Sequence, residues 1–213
     1  EYLQDWASLN DGIPIHVTNE RNILKDILNK TNSTGQQWIT IPAFSEYSGM
    51  IRRQCTSEYK IKPVMKKVRE LHGLKKYQRM PKTEMWLGIS MDEIQRMKVS
   101  RLPNVEYIYP LIDQRMTRGD CLKIFERFNF PLPPKSACVF CPYQPDRQWK
   151  DLKDNYPNEF KIALNVDKTI RDSSKKGESH EKIFLHKSCT PLERVQFADQ
   201  QDLFMCEEGF CGL

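Results

Sequence analysis

Two cysteines separated by two residues, Cys138 and Cys141, are the residues of this sequence best suited to chemistry. This spacing lets both sulfurs face one point, which is how zinc knuckles and iron–sulfur loops bind their metals. Redox-active dithiols share the spacing, but a thioredoxin-like pair is expected between a strand and a helix. Here a proline-rich stretch precedes the pair and Pro142 follows it directly. The context therefore favours an iron–sulfur cluster or a zinc ion.

Two further thiols are candidates to complete a site with four ligands. Cys55 follows a short basic run, and Cys121 lies in the first turn of a helix predicted at residues 117–128. Both surroundings stabilise a thiolate. A cysteine that binds no metal is commonly a small buried apolar residue, which is the alternative for both. Sequence spacing alone leaves open whether Cys55 and Cys121 converge on Cys138 and Cys141. Cys189 has no partner pattern, and we interpret it as structural.

The end of the chain carries another thiol pair, Cys206 and Cys211, next to Gly209 and Gly212. Glycine frees the backbone, so these thiols could enter a site and withdraw from it. A nucleophilic or redox role is one hypothesis, and a tail that only packs is the other.

The composition is that of a globular protein. Of the 213 residues, 39% are apolar and 29% are charged, which suits a folded domain with a hydrophobic core. No run approaches the ~20 apolar residues that span a bilayer, and no signal segment opens the sequence. Seven cysteines without a secretion signal favour metal binding over disulfides. We therefore expect a cytoplasmic protein that does not contact membranes.

Positive charge is concentrated at residues 51–82. This block holds eleven Lys or Arg and two acids, whereas the net charge of the whole chain is +5. Such a block suits phosphate-bearing partners, either a nucleotide or a nucleic acid. The alternative explanation is a solvated helix face without a partner.

Strands and helices alternate through the first half of the sequence. The predicted strands are residues 13–17, 38–41 and 85–89, and the predicted helices are residues 1–9, 22–29 and 57–71, with Pro63 in the first turn of the last. Ser90 and Glu93 predict a capping box for a further short helix. This alternation predicts an α/β domain with a largely parallel sheet flanked by helices.

The second half has a different character. Helices are predicted at residues 117–128 and 145–172, with an extended proline-rich segment between them and an irregular tail after them. We expect an α/β nucleotide-binding-like domain at residues 1–115 and a cysteine-rich helical lobe with its tail at residues 116–213.

A series of short motifs occurs along the chain in a specific order. These motifs are residues 52–56 with Lys60, 87–93, 109–112, 117–121, 134–143, 185–186 and 206–212. Together they resemble a family of proteins similar to phosphoadenosine phosphosulfate (PAPS) reductase. The resemblance implies an adenine nucleotide alpha-hydrolase-like fold, in which helices flank a parallel sheet and a cysteine-rich lobe is attached.

The resemblance also implies the chemistry of the site. It implies a [4Fe–4S] cluster, with zinc as the alternative, on Cys55, Cys121, Cys138 and Cys141. It implies an adenine nucleotide, ATP or PAPS, as the substrate. The side chains expected to bind phosphate or sulfate are Arg52, Arg53, Lys60, Arg115 and Arg118. On this hypothesis Cys211 or Cys206 attacks sulfur as a nucleophile.

The sequence departs from the family at both ends. Family members open with a strand and a Ser-Gly-Gly-type loop that binds pyrophosphate, and no such loop occurs here. We expect that this unit is truncated, supplied by a second chain, or lost. Near the other end, Phe210 replaces the acid of the family's Glu-Cys-Gly-type motif before Cys211.

Three functions are compatible with these motifs. The preferred hypothesis is sulfonucleotide reduction or sulfur transfer with an adenine nucleotide. The first alternative is an enzyme that modifies nucleic acid, as in thiolation of tRNA or DNA. The second is a metal-containing module that binds nucleic acid through the basic block and has no catalytic activity.

Overall fold

The computed structural model describes residues 2–9, 12–29, 41–47, 49–51, 54–132, 137–171 and 181–197. Its α-helices are α1 (Tyr2–Leu9), α2 (Ile23–Leu28), α3 (Lys62–Leu71), α4 (Pro110–Asp113), α5 (Arg118–Arg127), α6 (Asp146–Asn155) and α7 (Pro157–Ile170). Its strands are β1 (Phe44–Ser45), β2 (Gly49–Met50), β3 (Thr83–Trp86), β4 (Val105–Ile108) and β5 (Ile183–Phe184). The 3-10 segments Met91–Arg96 and Leu192–Arg194 and the π-helical turn Ser57–Ile61 lie between them. Within these ranges, no helix combines the length and the apolarity that crossing a bilayer requires.

The strands form two separate sheets. β3 and β4 pair in parallel, with Met85 opposite Tyr107. β1 lies between β2 and β5 and pairs antiparallel with both. The parallel pair is of the kind that the sequence predicts, whereas the antiparallel sheet was not predicted. The adenine nucleotide alpha-hydrolase-like fold stays a prediction.

One hydrophobic core joins segments that are distant in sequence. α7 contributes an inward face at helical spacing, and Trp149 of α6 is fully buried against it. α2 packs on α7 and inserts Ile27, while Ala43 enters just before β1. The inward residues of α7 are Phe160, Ala163, Val166 and Ile170. This core includes residues from both sides of the predicted division at residue 115, and the two-part organisation stays a prediction.

A buried carboxylate connects α7 to the segment after β5. Asp167 is 1% exposed, and its Oδ1 accepts a hydrogen bond from the Leu185 N–H at 3.0 Å. Its Oδ2 accepts one from the Leu192 N–H at 3.1 Å, and Arg171, one turn further along α7, forms an ion pair with it. Since both oxygens have donors, the charge can be buried. Asp167 therefore fixes the segment at residues 185–192 on the core.

Apolar side chains of two predicted elements are exposed. On the helix at residues 57–71, Ile61, Val64 and Leu71 lie on the surface, and Trp86 of β3 is 68% exposed. The apolar sequence of residues 85–89 predicts a buried strand, but the strand forms at Thr83–Trp86, and its side chains alternate between half-buried and exposed. A hydrophobic pattern indicates which side chains share a face, and it does not indicate what covers that face.

Two local predictions were also wrong. Residues 13–17 form no strand, and Ile13 and Val17 are exposed, because Pro14 cannot donate to a ladder and no described strand pairs with this segment. At Ser90 the hydroxyl donates to Asp92, and Glu93 instead forms an ion pair with Arg96, so the predicted capping box is absent. Of the strand predicted at residues 38–41, only Ile41 belongs to the described residues, and it lies in the core outside any strand.

Candidate metal centre

A helical segment that begins at Cys55 forms one wall of a pocket. Four side chains of this segment line the pocket, namely Cys55, Thr56, Tyr59 and Lys60. Residues four apart lie on the same face of a helix, so 55 with 59 and 56 with 60 form one continuous stripe. Helical spacing therefore brings a thiol, a hydroxyl, an aromatic ring and an ammonium group to the same opening.

The backbone beneath this stripe is π-helical over Ser57–Ile61, where the Lys62 N–H donates to the Ser57 carbonyl. Pro63 explains the widened turn. Its nitrogen carries no hydrogen for the Tyr59 carbonyl, and in a regular α-helix its ring would clash with that carbonyl. Single π-helical turns of this kind often occur at functional sites. The sequence predicted Pro63 in a first turn, and the structure places it at the start of α3, after the π-helical turn.

The Tyr59 ring is held in place by Asp26 of α2 and by Arg21, which lies two residues before that helix. Its hydroxyl donates to the Asp26 carboxylate at 2.7 Å, and Arg21 pairs with the same carboxylate at 2.9 Å. The Arg21 guanidinium also lies over the Tyr59 ring, 5.6 Å from its centroid. These contacts fix the wall that carries Cys55 against the core helix α2.

The opposite wall is the turn that contains Cys138 and Cys141. The Cys141 N–H donates to the Cys138 carbonyl at 3.0 Å, which closes the turn. The Gln144 side chain donates to the Val139 carbonyl at 3.0 Å, and the Phe140 ring is buried in the core. The turn is thus held by a hydrogen bond from outside and by a buried ring from inside.

Together these walls enclose a pocket of about 290 Å³. Three of the four predicted metal ligands, Cys55, Cys138 and Cys141, line it, and the predicted phosphate-binding residue Lys60 lines it as well. The remaining walls are mainly apolar and are formed by Ile23, Ile41, Pro42, Ala137, Phe140, Pro142 and Tyr143. The structure therefore brings together residues that were singled out independently along the sequence.

The fourth predicted ligand, Cys121, lies elsewhere. It lines a smaller pocket of about 150 Å³, together with Arg118, Asp92 and Glu93. Asp92 accepts a hydrogen bond from the Arg118 N–H and so joins the 3-10 segment to the start of α5. Neither Cys121 nor Arg118 is among the residues that line the pocket of the other three cysteines.

The helix that carries Cys121 begins with a capping box. The Asp120 N–H donates to the Thr117 hydroxyl oxygen at 3.2 Å, and the Thr117 N–H donates to the Asp120 carboxylate at 3.1 Å. Hydrogen bonds from the Thr117 hydroxyl and backbone, with a further one from Lys123, lower the pKa of Asp120 to about 2. The predicted helix at residues 117–128 is therefore confirmed, with a defined start at Thr117.

The other predicted site residues lie apart from the pocket of three cysteines or outside the described part of the chain. Arg115 lies two residues after α4 and has a positive φ of 54°. Its N–H donates to the Ile112 carbonyl at 2.9 Å, and it lines neither pocket. The predicted residues that lie outside the described ranges are Arg52, Arg53, Cys206 and Cys211.

The donor set of the larger pocket suits a metal centre. Three thiols are the soft ligands that zinc and iron–sulfur clusters select, and zinc sites with three protein ligands keep a fourth position open. Across the ranges that the structure describes, no three His, Cys, Asp or Glu side chains are already arranged to hold an ion. The residue types and their shared pocket therefore fit the group, and binding requires the thiols to draw closer together.

A buried polar cluster at the start of α6 was not predicted from the sequence. His186 Nε2 lies 3.3 Å from the Asp146 carboxylate, and His186 Nδ1 lies 2.8 Å from the Ser188 hydroxyl. The Ser188 N–H also donates to Nδ1, so Nδ1 is an acceptor and Nε2 faces the Asp146 carboxylate as the donor. Asp146 and His186 are distant in sequence, and no motif spacing indicates this pair. Tyr59 was missed as well, although its position four residues after Cys55 on a helix is a usable signal.

Comparison with known proteins adds no relative. No protein-family model, no curated protein and no solved structure matches the chain. The resemblance to PAPS reductase-like proteins therefore depends on the sequence motifs alone.

Proposed function

We propose that this chain is a PAPS reductase-like metal protein that reduces a sulfonucleotide or transfers sulfur with an adenine nucleotide. Its centre would be an iron–sulfur cluster, or alternatively zinc, held by Cys55, Cys138 and Cys141. One observation carries the proposal: two distant segments of the chain place these three thiols in one pocket.

Lys60 supplies the positive charge of this site. Its ammonium group can donate charge-assisted hydrogen bonds to a phosphate or sulfate group at the pocket. The rest of the lining is mainly apolar, whereas Lys60 is exposed at the opening, where an anionic group can reach it. At about 290 Å³ the pocket is at the small end of ligand sites, which span roughly 300–1,000 Å³. We therefore expect it to admit the reacting group of a nucleotide, with the remainder bound outside it.

The bound centre would supply electrons or positive potential next to the sulfur atom of the substrate. The protein's own part is to orient the thiols. Gln144 and Phe140 hold the turn of Cys138, and Tyr59 anchors the helix of Cys55. The tail thiols Cys206 and Cys211 stay predicted nucleophiles.

Anaerobic purification with quantitation of iron, sulfide and zinc tests the metal. About four irons and four sulfides per chain with a broad visible absorption band would support a cluster, and about one zinc without colour would support the alternative. A protein that binds neither, even after anaerobic reconstitution, would refute the metal centre. The Cys121→Ser variant tests the identity of the fourth ligand, because loss of metal in this variant would assign that role to Cys121.

The nucleotide is tested separately. Sulfite release from PAPS with a dithiol reductant, and binding of ATP by calorimetry, are measured on the metal-loaded protein. Lys60→Ala should weaken nucleotide binding about tenfold and leave metal content unchanged. Lys161→Ala on α7 is the matched control, since Lys161 is exposed and lies outside the pocket. Equal binding by both variants would remove Lys60 from the site.

A further inference from the structure

The connection between α3 and β3 presents an exposed aromatic ring among cations. Residues 71–83 contain no Asp or Glu. The ring of Tyr77 is 88% exposed. Its charged neighbours are Lys75, Lys76, Arg79 and Lys82, and all four are exposed. We call these five residues the Tyr77 surface.

Tyr77 stands at a strained position of a turn. The Gln78 N–H donates to the Lys75 carbonyl at 3.2 Å, and Tyr77, the third residue of this turn, has a φ of 70°. That position usually takes Gly or Asn, because a side chain with a Cβ is crowded there. The ring gains little burial in return, because it is 88% exposed and its contact with the Lys76 ammonium, 5.0 Å from the ring centroid, covers only a small part of it. Packing of the described chain therefore does not explain why a tyrosine occupies this position.

The turn is nevertheless held rigidly. The Arg69 guanidinium donates to the Lys75 carbonyl at 2.8 Å and to the Gln78 carbonyl at 3.0 Å. The Lys75 N–H donates to the Gln78 side-chain oxygen at 2.6 Å. Because these hydrogen bonds already fix the turn, little backbone conformational entropy is lost when the Tyr77 ring binds a partner.

The cations of the Tyr77 surface differ from those of the preceding helix. On that helix the lysines have carboxylate partners, in the pairs Lys62 with Glu58, Lys66 with Glu20 and Lys67 with Glu70. Within the part of the chain that the structure describes, no carboxylate pairs with any of the four cations around Tyr77. Their charge is therefore available to an anionic partner.

The parallel sheet extends this positive surface. Because β3 and β4 run in the same direction, the segments that precede them meet at the N-terminal end of both strands. There the Asn104 side chain donates to the Met80 carbonyl at 3.0 Å. Arg101, in the segment that precedes β4, is exposed toward this end of the sheet. Glu84 and Glu106 are direct neighbours on the two strands, and their carboxylates limit the positive surface on that side.

We infer that the Tyr77 surface binds single-stranded nucleic acid, with a base stacked on the ring and phosphates on the cations. A duplex keeps its bases stacked inside, so it offers phosphates without an open base for the ring. An acidic protein or an anionic membrane likewise satisfies the charges alone. A single strand matches both features of the surface.

This inference is independent of the proposed function. The surface follows α3, whereas Cys55 and Lys60 of the cysteine pocket precede that helix, and its ten residues span about 15 Å. A failure of nucleic-acid binding would leave the metal centre untouched, and the reverse also holds.

Fluorescence anisotropy of the full chain with labelled oligo-dT and oligo-rU of about 16 nucleotides tests the inference. Four phosphate contacts on a single strand give a salt slope of about −3, so affinity should fall about 50-fold between 50 and 200 mM salt. A duplex of the same length should bind more weakly than the single strands. Duplex binding that equals or exceeds single-strand binding would overturn the inference, and so would binding to phosphatidylserine vesicles without binding to either oligonucleotide.

Variants at Tyr77 separate stacking from folding. Tyr77→Asn removes the ring but tolerates the left-handed backbone, so it should fold and lose about tenfold in affinity. Tyr77→Phe keeps the ring and should bind like the unmodified chain. Tyr47→Ala is the matched control, since Tyr47 is 81% exposed and lies outside the surface. Equal affinities of the Asn and Phe variants would overturn the role of the ring.

The charges are tested in the same assay. The double substitution of Lys75 and Lys76 by Gln should halve the salt slope to about −1.4. The corresponding change of Lys123 and Lys168, which are exposed and form ion pairs on α5 and α7, should leave it unchanged. An unchanged slope in the first variant would remove these cations from the surface.

Discussion

Replacing the buried Asp167 by Asn is the substitution whose cost follows most directly from the structure. The Asn carbonyl can still accept the Leu185 N–H, but its amide N–H₂ then faces the Leu192 N–H and the Arg171 guanidinium, which are donors themselves. Asp167→Asn therefore removes a charged acceptor and leaves two donors without a partner at a site that is 1% exposed.

The expected loss of stability is about 3 kcal/mol. Leaving the Leu192 N–H unsatisfied costs about 1–3 kcal/mol. Removing one partner of a buried ion pair costs about 3–5 kcal/mol in total, and the lower end applies because the Arg171 side chain is 20% exposed and reaches water. With a urea dependence of about 2 kcal/mol per molar, the midpoint of unfolding should fall by roughly 1.5 M.

Equilibrium unfolding in urea, followed by tryptophan fluorescence, measures this shift. Asp154→Asn is the control, because Asp154 is exposed on α6 and its replacement should change stability by less than about 0.5 kcal/mol. A loss below about 1 kcal/mol in Asp167→Asn, with the control unchanged, would refute the assigned role of this carboxylate.

Three further predictions concern the two segments that carry Cys121 and Cys138. Thr117→Ala removes the cap of α5 and should lower stability in urea by about 1 kcal/mol; no change would refute the capping role. Because the pKa of Asp120 is lowered to about 2, its charge stabilises the fold above about pH 4, and this contribution is lost as the pH falls to about 2. The urea midpoint of Asp120→Asn should lack that part of the acid sensitivity, and an identical pH profile would contradict it. Gln144→Ala should weaken metal binding about 10–100-fold in chelator competition, while the exposed Gln114→Ala should not, and equal affinities would contradict the support that Gln144 gives.

Local features of this chain could be predicted because their causes are local. The helix start at Thr117 follows from a hydroxyl and a carboxylate three residues apart, and the turn at Cys138 follows from the spacing of two cysteines. The parallel pairing of β3 with β4 agrees with the alternation of strands and helices.

Features that depend on tertiary packing could not be predicted in the same way. Nothing in the spacing of Cys55 and Cys121 indicates that the first lines the pocket of Cys138 and the second does not. The contact of His186 with Asp146 joins distant segments, and it exists because β5 and α6 pack on the same core. The exposure of Trp86 could not be predicted either, because the periodicity of a strand does not indicate whether another element covers its face.

We expect Cys55, Cys138 and Cys141 each to be required for one shared metal centre. Metal content per chain of the three single Ser variants, purified anaerobically beside Cys189→Ser, tests it most directly. Cys189 lies outside the pocket, and burial raises the pKa of its thiol, which disfavours the thiolate that binds metal. Each of the three variants should lose most of its metal, and Cys189→Ser should keep it. Full metal content in Cys55→Ser, equal to that of the control, would show that Cys55 does not belong to a shared metal centre.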